Sequence, residues 1–207
     1  MVPLLALADM EPIPDATGWV GHWSPGIGDP TFMGWFTVVA YAAATWTCYR
    51  LRGRFSAQAD ALRRKERRFW AVMFWILLFL CFNKQLDLQT AMTEFFRRCA
   101  IQQGWYGVRR TYQVAFIAAM AISLPILAAI LFRVARPFPA STKIAGLGLI
   151  IIAVFVLVRA ASFHHMDRLL GERILLLKLN WILELGGIAV VLLGGSKRWK
   201  QLNRGPY

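Results

Sequence analysis

The residues best equipped for chemistry are gathered in "SFHHMD", where His164, His165 and Asp167 follow a long apolar run. His164 and Asp167 stand three apart and share a helix face, whereas His164 and His165 point about 100° apart on a regular helix. One metal ion therefore takes a histidine with Asp167 more readily than both histidines. It would need further ligands such as Asp87 or His22 from other segments. The same groups could move a proton, because imidazole titrates near neutral pH. The structural alternative is one histidine at a membrane interface and one hydrogen-bonded to a neighbouring helix. Metal and cofactor stay unassigned, and Ser162 beside His164 has poor geometry for a nucleophile and its base.

A second cluster is "NKQLDLQT", with Asn83, Lys84, Gln85, Asp87 and Gln89. Nearly every side chain here can hydrogen-bond, which exceeds what one snorkelling lysine requires. It reads either as the roof of a polar pocket or as an interhelical hydrogen-bond network. Downstream lie Glu94, Arg97, Arg98, Arg109 and Arg110, and arginines can grip an anion as a planar fork. His164, His165, Asp167 and Asp87 are thus the catalytic candidates. Asn83, Lys84, Gln85, Gln89, Glu94, Arg97, Arg98 and Arg110 are the binding candidates.

Two charges lie deeper. Arg159 precedes His164 by five residues and Glu184 follows Asn180 by four, which sets each roughly 6 to 8 Å inside a helix end. An intramembrane ion costs about 2.5 to 3.5 kcal/mol and normally pairs inside the bundle. Arg159 and Glu184 are therefore expected to form a buried ion pair with each other. Phosphate-loop, GxSxG and HExxH patterns are missing from the sequence.

The elements that position these groups follow from composition. The 207 residues are 57% hydrophobic, with nine Trp and fourteen Phe, too apolar and aromatic for an ordinary soluble domain. A span needs about 20 apolar residues, and five stretches qualify: about 31–49, 69–88, 114–132, 144–162 and 174–195, with Pro125 a candidate kink in the third. Leu88, Ala91, Met92, Phe95, Phe96, Cys99 and Ala100 recur at helical spacing. They predict an amphipathic helix over about 88–103. Asp29 followed by Pro30 reads as the N-cap and first turn of the first span. Cys48, Cys81 and Cys99 lack metal or disulfide spacing. The N-terminal apolar run is short and lacks a basic flank, so it reads as retained.

The net charge of +13 would point to nucleic acid in a soluble protein, but its distribution gives another reading. Segments 50–68, 133–143 and 196–207 carry 15 Lys and Arg against two acids, Asp60 and Glu66. Lys and Arg mark the cytoplasmic side. The expectation is an all-α integral membrane bundle of five transmembrane helices plus an outer-side amphipathic helix. Residues 1–30 and the candidate site lie outside and the basic tail 196–207 inside a bacterial inner membrane. No nucleic acid partner is expected.

The stretches "HWSPGIGDPT", "NKQLDLQ", "GWY" with "RR", "SFHHMD" and "LNWILELGG" resemble a group of small, uncharacterised multi-pass bacterial membrane proteins. The resemblance covers most of the chain and implies the multi-pass architecture, with no activity attached. Seven-span metal-dependent membrane hydrolases differ, since their HxxxH pair is missing here. The functional expectation is a polar outer-face site that binds or acts on a lipid, quinone or cofactor at the outer leaflet. The alternative is a non-catalytic accessory or assembly subunit of a larger membrane complex.

Overall fold

The computed structural model describes residues 18–55, 60–104, 109–165 and 173–204. They form six helices: α1 (Phe32–Arg54), α2 (Ala61–Leu86), α3 (Leu88–Gln102), α4 (Arg109–Ala135), α5 (Ala140–His165) and α6 (Arg173–Asn203). Beyond an isolated bridge between Val20 and Trp23, the described residues contain no β-structure, so the chain is all-α as expected. Ala61–Leu86, Val114–Ala135 and Ala140–Leu157 are long and apolar enough to cross a membrane. The other two expected spans fall in α1 and α6, helices of 23 and 31 residues.

Local chemistry sets the helix ends. Asp29 does not cap α1 directly. Thr31 is the N-cap, its hydroxyl accepting from the Gly34 amide at 3.0 Å, while Asp29 accepts from the Thr31 hydroxyl at 2.6 Å. The cap and its brace satisfy donors that a helix start leaves orphaned. Asp60 caps α2 by accepting from the Arg63 amide at 2.8 Å, so α2 begins eight residues before its apolar run. At its far end Asp87 adopts the left-handed conformation, φ 45° and ψ 51°. This breaks the α2 ladder and starts α3 in a new direction, separating the amphipathic helix from the span. Pro125 lies inside α4, which continues past it as one helix.

α6 packs against both α5 and α1, α1 packs on α2, and α4 lies against α5. Glycines permit the closest of these approaches. A Cβ on Gly148 of α5 would stand 2.7 Å from the Gly187 carbonyl oxygen and 2.7 Å from the Val191 nitrogen of α6. Small residues allow helix backbones to meet in this way. Gly148→Val is therefore expected to force α5 from α6 and to cost about 1–3 kcal/mol, read as a lower unfolding temperature in detergent. An unchanged midpoint would show that the helices separate freely. The core between the helices holds Tyr41, Leu51, Trp70, Met73, Leu77, Ile152, Ile188 and Val191. Trp35, Trp46, Trp75, Phe79 and Phe82 instead face outward, an exterior that suits hydrocarbon and would associate in water.

Candidate functional site

Where α2 ends, its last carbonyls would be left unpaired. The segment before α1 is laid across them. The Trp23 indole donates to the Leu86 carbonyl at 2.9 Å, the Gly28 amide donates to the Gln85 carbonyl at 2.6 Å, and the Asp87 amide closes on the Asn83 carbonyl at 3.0 Å. Glycine is required at position 28, because a Cβ there would lie 2.8 Å from the Gln85 oxygen. The Gln85 side-chain nitrogen reaches the Asp29 carbonyl at 3.5 Å. These ties hold Asp29 over the end of α2.

Lys84 lies beneath. Its ammonium stands 3.2 Å from the Glu184 carboxylate of α6 and 3.5 Å from Asp29. The Lys84 side chain is 7% exposed and that of Glu184 3%. The buried Tyr41 hydroxyl of α1 interacts with the same carboxylate. Beside this triad, Arg159 of α5 pairs with Asp87 at 3.5 Å, and the Thr90 hydroxyl donates to the other Asp87 oxygen at 2.6 Å. Six segments, the stretch before α1 and helices α1, α2, α3, α5 and α6, thus bring charged or polar groups to one end of the bundle.

The expected Arg159–Glu184 pair is corrected by this geometry. The ion-pair partner of Glu184 is Lys84 and that of Arg159 is Asp87. Equal depth on consecutive helices does bring Arg159 within electrostatic range of Glu184. Lys84 of α2 meets that carboxylate instead, at 3.2 Å. Asp87 thus lies against Arg159 of α5, the helix whose sequence goes on to the histidines.

The remaining candidates divide. Asn83 is half-buried and contributes its carbonyl to the α2 cap. Glu94 pairs with Arg97 along α3 at 3.6 Å and lies against Gly21, whose φ of 62° and close approach both favour glycine. Arg98 turns its Nε inward, where the described residues offer it no partner, and the Gln85 side-chain oxygen is buried in the same condition. His22 is exposed. His164 and His165 close α5, but their side chains lie outside the described residues, as do those of Gln89 and Arg110 and all of Asp167. Among the described residues no group of three His, Cys, Asp or Glu could hold a metal ion.

Asp29 sits outside the long helices. Its partial burial works to raise its pKa, but hydrogen bonds from Thr31 and the nearby Lys84 charge outweigh this and hold it below the ordinary 3.8. A carboxylate with a depressed folded value stabilises above the unfolded value and loses that contribution as pH falls through the folded one. The tie between residues 18–31 and α2 should hold at neutral pH and loosen below about pH 4. A spin label at Ser24→Cys is expected to gain mobility in that range, and Asp29→Asn should give the mobile spectrum at neutral pH. A label equally immobile at low pH in both proteins would contradict this.

Sequence reasoning missed a second buried carboxylate at the opposite end. Glu66 of α2, 2% exposed, accepts from Arg198 of α6 through Nε and a terminal nitrogen, each at 2.8 Å. It also accepts from the Thr142 hydroxyl of α5 at 2.5 Å and from the Trp70 indole at 3.4 Å. A signal was available. Glu66, Phe69, Trp70, Met73 and Leu77 are the buried positions of α2, and their helical spacing sets the lone acid of "RRKERR" on the apolar face. Compared with known proteins, the chain matches no family model, no curated protein and no solved structure.

Proposed function

We propose that the chain is a five-span protein of a bacterial inner membrane whose Lys84 end faces outward and binds the polar head of a lipid or quinone from the outer leaflet. α1, α2, α4, α5 and α6 would be the spans, and α3, with Met92, Phe96 and Ile101 exposed along it, would lie in the outer interface. The orientation rests on the 15 Lys and Arg of segments 50–68, 133–143 and 196–207, which belong in the cytoplasm.

The observation that carries the binding reading is Lys84, almost fully buried between Glu184 and Asp29. Apolar packing would serve stability as well or better than such a group. Ionisable residues at this depth mark sites. Lys84 would donate to a headgroup or quinone oxygen and Glu184 would accept from a hydroxyl. Arg159 and Asp87 offer a second donor and acceptor alongside, and His164 begins about 7.5 Å further along α5 at the rise of a regular helix.

The test is mass spectrometry of amphiphiles extracted from the protein purified out of native membranes. The wild type should retain a lipid or quinone that Lys84→Met/Glu184→Leu loses while keeping its helical spectrum. If both retain the same molecules, the network is structural, and the reading as an accessory subunit of a larger membrane complex takes its place.

A further inference from the structure

At the basic end, the last turns of α1, the first turns of α2 and the tail of α6 enclose a recess of about 740 Å³. Arg50, Arg52 and Arg54 line it from α1, and Arg64, Arg67 and Arg68 from α2. No acid lines it among the described residues. The nearby Glu66 is turned inward onto Arg198. Six guanidinium groups around one recess repel each other, and an anion between them removes that cost.

The recess is also organised. Arg50 and Arg54 both lie over the Trp199 ring, at 4.1 and 4.5 Å from its centroid, and Arg54 also donates to the Asn203 side chain at 2.8 Å. Arg52 lies 5.1 Å from the centroids of both Tyr49 and Phe74. Stacking restricts these flexible side chains and keeps their donor edges available, the arrangement that suits a phosphate. A merely solvated charge run needs no such support.

The floor continues into apolar surface. Tyr49, at the wall of the recess, stacks on Trp46 at 5.6 Å, and Trp46 and Trp75 face outward at 59% and 61% exposure. A ligand with phosphate in the recess and acyl chains along these rings would satisfy both surfaces. We propose that the recess binds the phosphate of an anionic membrane phospholipid, with room and charge for a two-phosphate headgroup. Basic pockets between membrane helices bind such headgroups elsewhere. The site shares no residue with the Lys84 network, so either can fail alone.

Native mass spectrometry of the full chain in detergent tests it, with cardiolipin, phosphatidylcholine and inorganic pyrophosphate as separate probes. The wild type should retain cardiolipin at least about tenfold better than phosphatidylcholine, a preference worth about 1.4 kcal/mol. Arg50→Gln/Arg67→Gln should abolish the preference. Arg63→Gln/Lys65→Gln removes equal charge outside the recess and should keep it. If the first pair loses its helical spectrum, Arg68→Gln alone should still weaken the preference. Equal retention of the two lipids, equal loss in both variant pairs, or capture of pyrophosphate with no lipid preference would each overturn the assignment.

Discussion

Glu184→Ala alone is expected to destabilise the protein by about 3–5 kcal/mol, whereas Lys84→Met combined with Glu184→Leu is expected to be neutral or mildly stabilising. The single change leaves the Lys84 ammonium buried, with only the half-exposed Asp29 as an ionic partner. The double change removes both ions and fills their volume with apolar atoms. Asp29 survives the loss of Lys84 because its Oδ1 remains engaged by the Thr31 amide and hydroxyl and its side chain is partly exposed. Unfolding of the three proteins in one detergent, by heat or by pulse proteolysis, gives the ordering. A double variant as unstable as the single one would mean that Lys84 and Glu184 do not act as a pair.

The second large effect is expected at the opposite end. Arg198→Met strips Glu66 of two charge-assisted hydrogen bonds and leaves a carboxylate that is 2% exposed with only Thr142 and Trp70. The expected loss is again about 3–5 kcal/mol, while Thr142→Val, which deletes one neutral donor, should cost about 1–2 kcal/mol. Glu66→Gln in the Arg198→Met background should recover part of the loss, since the amide no longer carries a charge. Failure of that recovery would assign the loss to packing of the Arg198 stem instead. Together the two ion pairs tie α2 to α6 at both ends, with Lys84 and Glu66 separated by 18 residues of one helix, about 27 Å.

Much of the helical layout is legible in the sequence, because apolar runs of about 20 residues have few other solutions. The ends of the helices are less so. α2 starts at Ala61 and α6 runs to Asn203, beyond the expected 69 and 195, because a helix turn in water can be as charged as a loop. Only the Asp60 cap separates the two cases at the start of α2. The change of direction at Asp87 is a single left-handed residue, invisible to periodicity on either side of it.

The polar content of the site was also legible, since "NKQLD" is dense in donors and acceptors where a span should end. Its pairing was not. Arg159 and Glu184 are neighbours in chain order, but which side chain meets a carboxylate depends on how α2 lies against α1 and α6. That arrangement rests on the packing of α1 against both α2 and α6, which periodicity does not reveal. Glu66 was hidden for a related reason: a lone acid among arginines looks solvated until its place on the apolar face of α2 is counted.

In the proposed orientation the two charged ends face opposite sides of the membrane, with the Lys84 network outside. Replacing Cys48, Cys81 and Cys99 and adding back a single cysteine at Ser24 or at Ser196, both exposed, allows each end to be probed with a membrane-impermeant maleimide in bacterial spheroplasts. In that orientation the cysteine at position 24 reacts on intact spheroplasts and the one at 196 only after lysis. Labelling of position 196 from outside, or protection of position 24 until lysis, would contradict it.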